Sequence, residues 1–186
     1  MKDAGFSLVE LLVVVGVLAT AMGMAALVTK NSLGMTKADS AAKELEGALR
    51  DAREAAISSR RNIEVSFIQP NVMTWGRREV DGITETGVVT ELGRVSLQYG
   101  ARYSTVPTGV SDTPDGFGKG ASIDFGAATS LIFTSEGTFV DQSGDDLNGT
   151  VFFGIPGDKA SLHAITIFGP TALLHRYAVA GNQWAD

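Results

Sequence analysis

From Phe6 to Val28 every position is apolar except Ser7, Glu10 and Thr20. A helix advances about 1.5 Å per residue, so a run of roughly 20 apolar residues crosses the hydrocarbon layer of a bilayer. The pattern predicts one membrane-crossing helix here and no other along the chain, preceded by a short polar leader over residues 1–5. A carboxylate inside such a helix is costly unless something compensates it, and Glu10 sits in that position. A cut after Gly5 would give Phe6 a cationic α-amino group four positions before Glu10, on the same helical face.

A second pattern follows. Between Met35 and Ser58 the positions Ala38, Ala41, Ala42, Leu45, Ala48, Leu49, Ala52, Ala55 and Ala56 recur at steps of three and four, which is a helical stripe. The charged residues, such as Lys43, Glu44, Arg50, Asp51 and Glu54, mostly occupy the other faces. Because no proline occurs before Pro70, one helix can run from the membrane segment to about Ser59. Asn31, Ser32 and Gly34 mark its expected irregularity, and Gly16 and Gly23 are further points where it could bend. A helix of that length cannot bury its sides in one small domain, so its first half is expected to face lipid or other subunits.

After Arg61 the period changes to two. Ile63, Val65 and Phe67 alternate with Glu64 and Ser66, and further strands are predicted at Val95–Tyr99, Ile123–Phe125, Leu131–Thr134, Thr138–Val140, Thr150–Phe153, Ala164–Phe168 and Leu173–Val179. Gly126, Gly137, Asn148-Gly149, Pro156-Gly157 and Gly169-Pro170 separate them as turns. A long helix followed only by strands predicts an α+β fold, the helix packed against antiparallel sheet. Thr105 to Gly120, rich in glycine, proline, serine and aspartate, is expected to be a long exposed loop. The predicted organisation is a polar start at 1–5, a transmembrane helix at 6–29, an amphipathic continuation at 30–60, and a β-rich domain at 61–186.

The length of 186 residues suits one such domain with an appendage. With 44% hydrophobic and 19% charged residues the chain can build a core and is not a disordered polymer. A net charge of -6 argues against a protein whose main partner is a phosphate backbone. The absence of cysteine removes disulfides, thiolate nucleophiles and cysteine-ligated metals.

Candidate chemistry is sparse. Asp141, Asp145, Asp146 and Asn148 gather between two strands and could offer oxygen ligands to calcium, but their spacing is not that of an EF-hand, and a solvated hairpin turn is the ordinary reading. Gly116, Gly118 and Gly120 alternate without the lysine-serine or lysine-threonine pair of a phosphate cradle. His163 and His175 are the two histidines, and neither neighbours a paired carboxylate in sequence. With no GxSxG, HExxH or cysteine, no enzymatic activity and no cofactor are expected, although a triad assembled across the fold would escape this inspection.

The run Gly5-Phe6-Ser7-Leu8-Val9-Glu10, followed by Leu11-Leu12-Val13-Val14-Val15, closely resembles the class III signal of type IV prepilins and pseudopilins. The resemblance implies a prepilin peptidase that cleaves after Gly5 and methylates Phe6, and a Glu10 that pairs with the amino terminus of a neighbouring subunit. It further implies a single pass through the bacterial inner membrane with a cytoplasmic leader and a periplasmic domain. The implied partners are an inner-membrane assembly platform and other pilins or pseudopilins. Many members carry proline at the position of Leu27, which this chain lacks. Ile132-Phe133-Thr134-Ser135-Glu136-Gly137-Thr138, Ala164-Ile165-Thr166-Ile167, Gly169-Pro170-Thr171, Arg176-Tyr177 and Gly181-Asn182-Gln183-Trp184 resemble the GspH/FimT branch of minor pseudopilins and pilins.

Some FimT-like members bind DNA through cations in the segment matching Ala172 to Arg176, so His175 and Arg176 are the candidate DNA contacts here. A single arginine there is few for a phosphate track. Two other readings of the amino terminus stay open: a plain anchor, and a secretory signal cut after Ala19-Thr20-Ala21. Secretion and pilus systems share the signals used here.

Overall fold

The computed structural model describes residues 8–186, and for residues 24–33 the backbone alone. One helix, α1 (Leu8–Ser59), runs through Gly16, Gly23 and Gly34 as a single element of 52 residues, so the expected irregularity near Asn31 to Gly34 does not interrupt it. Its two halves differ in what they touch. From Leu8 to Met22 every side chain is exposed, Leu8 at 80% and Met22 at 68%. From Ala38 onward the stripe of Ala38, Ala41, Ala42, Leu45, Leu49 and Ala52 is fully buried. The small alanine side chains let the sheets approach the helix axis closely. At the carboxyl end Arg60 takes a left-handed conformation, φ 51°. The Arg60 amide donates to the Ile57 carbonyl at 3.3 Å and the Arg61 amide to the Ala56 carbonyl at 3.2 Å, closing the helix with a Schellman motif.

The remainder is antiparallel β structure: β1 (Ile63–Ile68), β2 (Val72–Asp81), β3 (Thr84–Ser96), β4 (Arg102–Tyr103), β5 (Ile123–Asp124), β6 (Leu131–Phe133), β7 (Phe139–Val140), β8 (Gly149–Gly154), β9 (His163–Phe168), β10 (Leu173–Ala180) and β11 (Gln183–Ala185). The fold is α+β, as the residue pattern predicts. It has two sheets against the helix. The first has the order β3-β2-β1-β6-β7 and the second β11-β10-β9-β8-β4, with β5 also pairing with β8.

Ile63, Val65 and Met73 of the first sheet and Phe153, Ile165 and Ile167 of the second enter one core with the helix stripe. An aromatic string crosses between them: Phe133 lies 4.8 Å from Phe139, Phe139 5.6 Å from Phe125, and Phe125 6.1 Å from Phe67, measured between ring centres. The sheets are also tied through the backbone, since the Phe139 amide donates to the Gly169 carbonyl at 2.8 Å and the Gly169 amide to Asn148 Oδ1 at 2.8 Å.

Three features differ from the sequence expectation. Of the strand predicted at Val95–Tyr99 only Val95 and Ser96 are strand, as the tail of a long hairpin, β2–β3, whose tip carries the fully exposed Ile83. Its positions between Gly76 and Val95 escaped because two register shifts break the period of two, at Trp75/Gly76 and at Arg78/Val80. The sheet is split in two. The segment Thr105 to Gly120 has no strand, as expected, yet it is not simply exposed: Val110 and Thr113 are buried, and the segment lies over the outer face of the second sheet.

Candidate functional site

Of the residues that the amino-terminal signal singles out, Gly5 and Phe6 lie outside the described residues, and Glu10 stands on the exposed first half of α1. Leu8, Val9, Leu11, Leu12, Val13 and Val14 surround it, all at least half exposed. So much apolar surface on one helix is not a stable state in water, and each of those side chains gains about 1.5–3 kcal/mol when an apolar environment covers it. Among the described residues no helix is long and apolar enough to cross a membrane. The expected span starts at Phe6, and that residue, Ser7 and the side chains of residues 24–28 are not among those described.

The second half of α1 is joined to the second sheet by charge. Even-numbered positions of β10 face the helix, and from there Arg176 places Nη1 3.3 Å from Asp39 Oδ1, an ion-pair approach whose angle does not make a hydrogen bond. Its Nε lies 4.0 Å from Glu46. The hydrogen bond from Lys43 and the charge of Arg176 together outweigh burial and hold the Asp39 carboxyl below its ordinary value. The candidate DNA contact Arg176 is therefore engaged with two helix carboxylates, and its side chain is only 31% exposed.

His175, the other candidate DNA contact, faces the opposite side of β10. Its Nδ1 lies 3.1 Å from Asp115 Oδ2, which also accepts from Thr166 Oγ1 at 2.5 Å and from the Tyr177 hydroxyl at 3.2 Å. Burial alone would raise the Asp115 pKa, but these hydrogen bonds outweigh it and leave the carboxyl below its ordinary value. Burial beside Asp115 pushes the Tyr177 hydroxyl up to about 12.

The fold thus assembles an aspartate-histidine pair that sequence spacing could not show, because Asp115 belongs to a loop with no periodic pattern. The Tyr177 oxygen approaches the same Nδ1, at 3.4 Å, whereas the relay of a hydrolase places its nucleophile on the other ring nitrogen. His163 is buried, its Nδ1 2.9 Å from the Ser161 carbonyl, and burial lowers its pKa.

The acidic turn between β7 and β8 is organised by its own backbone. Asp141 Oδ1 accepts from the amides of Ser143 at 2.7 Å and Asp145 at 3.1 Å. Asn148 Oδ1 is bonded to Gly169, and Asp146 forms an isolated bridge with Val140. Among the described residues no three histidine or carboxylate side chains come together as a metal cluster. An open groove of about 610 Å³ runs between the end of α1 and the β9–β10 turn, lined by Leu49, Ile57, Phe133 and Leu173 together with Arg50 and Arg53.

Against this geometry, residues 1–26 match the family model described as the prokaryotic N-terminal methylation motif. The match covers the amino-terminal segment and the start of α1. No curated protein matches the chain. Among solved structures it is similar to the type IV minor pilin FimU of Pseudomonas aeruginosa PAO1, with a TM-score of 0.45, 16% identity, and cover of 80% of this chain and 97% of that one. It is similar as well to the minor pseudopilin EpsH from the type 2 secretion system of Vibrio cholerae, with a TM-score of 0.45, 15% identity, and cover of 76% and 97% respectively.

Proposed function

We propose that this chain is a pilin-like minor subunit of the GspH/FimT type, structural and not catalytic, that enters a type II secretion pseudopilus or a type IV pilus through its amino-terminal helix. The observation that carries the reading is the division of α1: a methylation motif over residues 1–26, then a helix whose described side chains from Leu8 to Met22 are all exposed, then burial against the sheets from Ala38. An uncovered apolar half-helix calls for lipid before assembly and for neighbouring helices after it.

In this reading residues 1–5 are a cytoplasmic leader that a prepilin peptidase removes after Gly5, with methylation of Phe6. Residues 6–29 cross the inner membrane and then pack among other pilins or pseudopilins, extruded by an inner-membrane platform. Residues 30–60 carry the helix into the β-rich domain of 61–186 on the periplasmic side. Glu10 sets the register by pairing with the amino terminus of a neighbouring subunit, where low dielectric strengthens the attraction.

The test is the intact mass and amino-terminal sequence of the protein from membranes of a host with prepilin peptidase, together with Glu10→Ala. A methylated Phe6 start is expected, with the variant folded but excluded from filaments. A start at Met22 would make this a secreted domain, an uncut Met1 a plain anchor, and normal incorporation of Glu10→Ala would remove the assembly role.

A further inference from the structure

Residues 105–121 leave the second sheet and return to it at one residue. The Ser104 amide donates to the Phe152 carbonyl at 3.0 Å, and the Phe152 amide donates to the Ser122 carbonyl at 2.8 Å. On either side β4 and β5 occupy successive stretches of the same β8 edge, opposite Phe153–Gly154 and Thr150–Val151. A long segment whose ends meet so closely is an Ω-loop. It covers the sheet face that carries Phe152, Ala164, Tyr177 and Val179, the side away from the helix core.

The loop buries little apolar side chain of its own. Val110 is its one buried hydrophobic residue, packed with Leu162 and Val179 in a cluster separate from the main core. At its middle the Ser111 amide donates to the Asn182 carbonyl at 3.1 Å, and Trp184 Nε1 donates to the Ser111 carbonyl at 3.0 Å. Phe117 stacks on Phe168 with ring centres 6.4 Å apart, and Val106 packs on the outer-face clusters. The Gly120 amide donates to Asp124 Oδ2 at 2.6 Å. The polar latch is Asp115, whose carboxylate gathers Thr166, His175 and Tyr177 from two neighbouring strands. Thr166 is 1% exposed, so removing its acceptor leaves a buried hydroxyl.

We propose that residues 105–121 form a hinged lid on the outer face of the second sheet, pinned at Phe152 and latched by Asp115, which opens as a unit while the helix-sheet core stays folded. Opening leaves both ends attached, so the loop need not be closed again from free chain and the entropic cost of re-seating it is small. The main core takes no side chain from residues 105–121, which gives the lid its own, lower opening free energy. Because the latch carboxylate stays ionised above its ordinary range, neutral pH does not release it. Opening uncovers Phe152, Tyr177, Val179 and Trp184 as one apolar surface.

The test is hydrogen exchange on the full chain in detergent micelles at neutral pH, and it does not depend on the filament reading. In the wild type the amides of Val110, Ser111 and Gly116 are expected to exchange faster than the β8–β9 ladder. Asp115→Asn should accelerate those three by about tenfold or more, as the loss of charge-assisted hydrogen bonds implies, with the ladder unchanged. Thr166→Val keeps the carboxylate and removes one donor, so it should accelerate the same amides by a smaller factor and serves if Asp115→Asn does not fold. Equal rates in loop and ladder, or equal changes in both on substitution, would overturn the lid.

Discussion

Asp39 on the helix and Arg176 on β10 approach to 3.3 Å, an ion pair that joins the long helix to the second sheet. Asp39 also accepts from Lys43 at 2.7 Å, one turn along. With its pKa held below the ordinary 3.8 by the Lys43 hydrogen bond and by Arg176, this carboxyl binds protons less readily in the folded state. Its contribution is therefore present above the unfolded value and lost as pH falls through the folded value. Both side chains are about a third exposed, so solvent screening limits the effect to about 1 kcal/mol or less. Urea unfolding of Asp39→Asn should show that deficit at neutral pH and none at a pH well below 3.8. An equal deficit at both would mean that packing, not charge, is what the substitution removes.

Gly169 has no room for a side chain. A Cβ there would meet the Leu147 amide nitrogen at 2.5 Å and the carbonyl oxygens of Leu147 and Phe139 at 2.9 Å. These are backbone atoms of the joint between the sheets, and they cannot swing aside as a side chain could. Gly169→Ala should destabilise the domain by about 1–3 kcal/mol, the usual cost of overpacking, read as a lowered urea midpoint with unchanged slope. A neutral result would show that the joint is looser than the hydrogen bonds through Phe139 and Asn148 imply.

What could be read from residues alone follows the length of each periodic signal. The alanine stripe spans about five turns of α1, and its positions from Ala38 to Ala56 are buried except Ala55, which is half-buried. The alternation in β1 is likewise unbroken, and β1, β9 and β10 were legible to within a residue or two. β2–β3 was not, because bulges interrupt its alternation and much of β3 is exposed on both faces. Periodicity cannot speak about which loop crosses which face, so Asp115 among Thr166, His175 and Tyr177 left no trace in spacing. Arg176 looked like a free cation because the two parities of β10 are mixed in polarity. Leu174 and Arg176 face the helix while Tyr177 and Val179 face the loop.

The division of α1 makes a final expectation about autonomy. Burial against the sheets starts at Ala38, while Met35, Thr36 and Lys37 are exposed. The half-buried Gly34, where an added Cβ would meet the Asp158 carboxylate, lies against the domain, and the side chains from Leu8 to Met22 are exposed. A fragment beginning at Met35 therefore keeps the whole core stripe and sheds the exposed apolar surface. It should be soluble without detergent, monomeric on gel filtration, and have the same near-ultraviolet dichroism and a melting temperature within a few degrees of the full chain in micelles. The full chain without detergent should aggregate, since the apolar side chains from Leu8 to Met22 are exposed. A fragment that melts far lower would mean that the first half of α1 supports the domain through contacts the free chain does not make, and a full chain that stays monomeric in water would contradict the reading of its first half as surface meant for lipid and neighbouring helices.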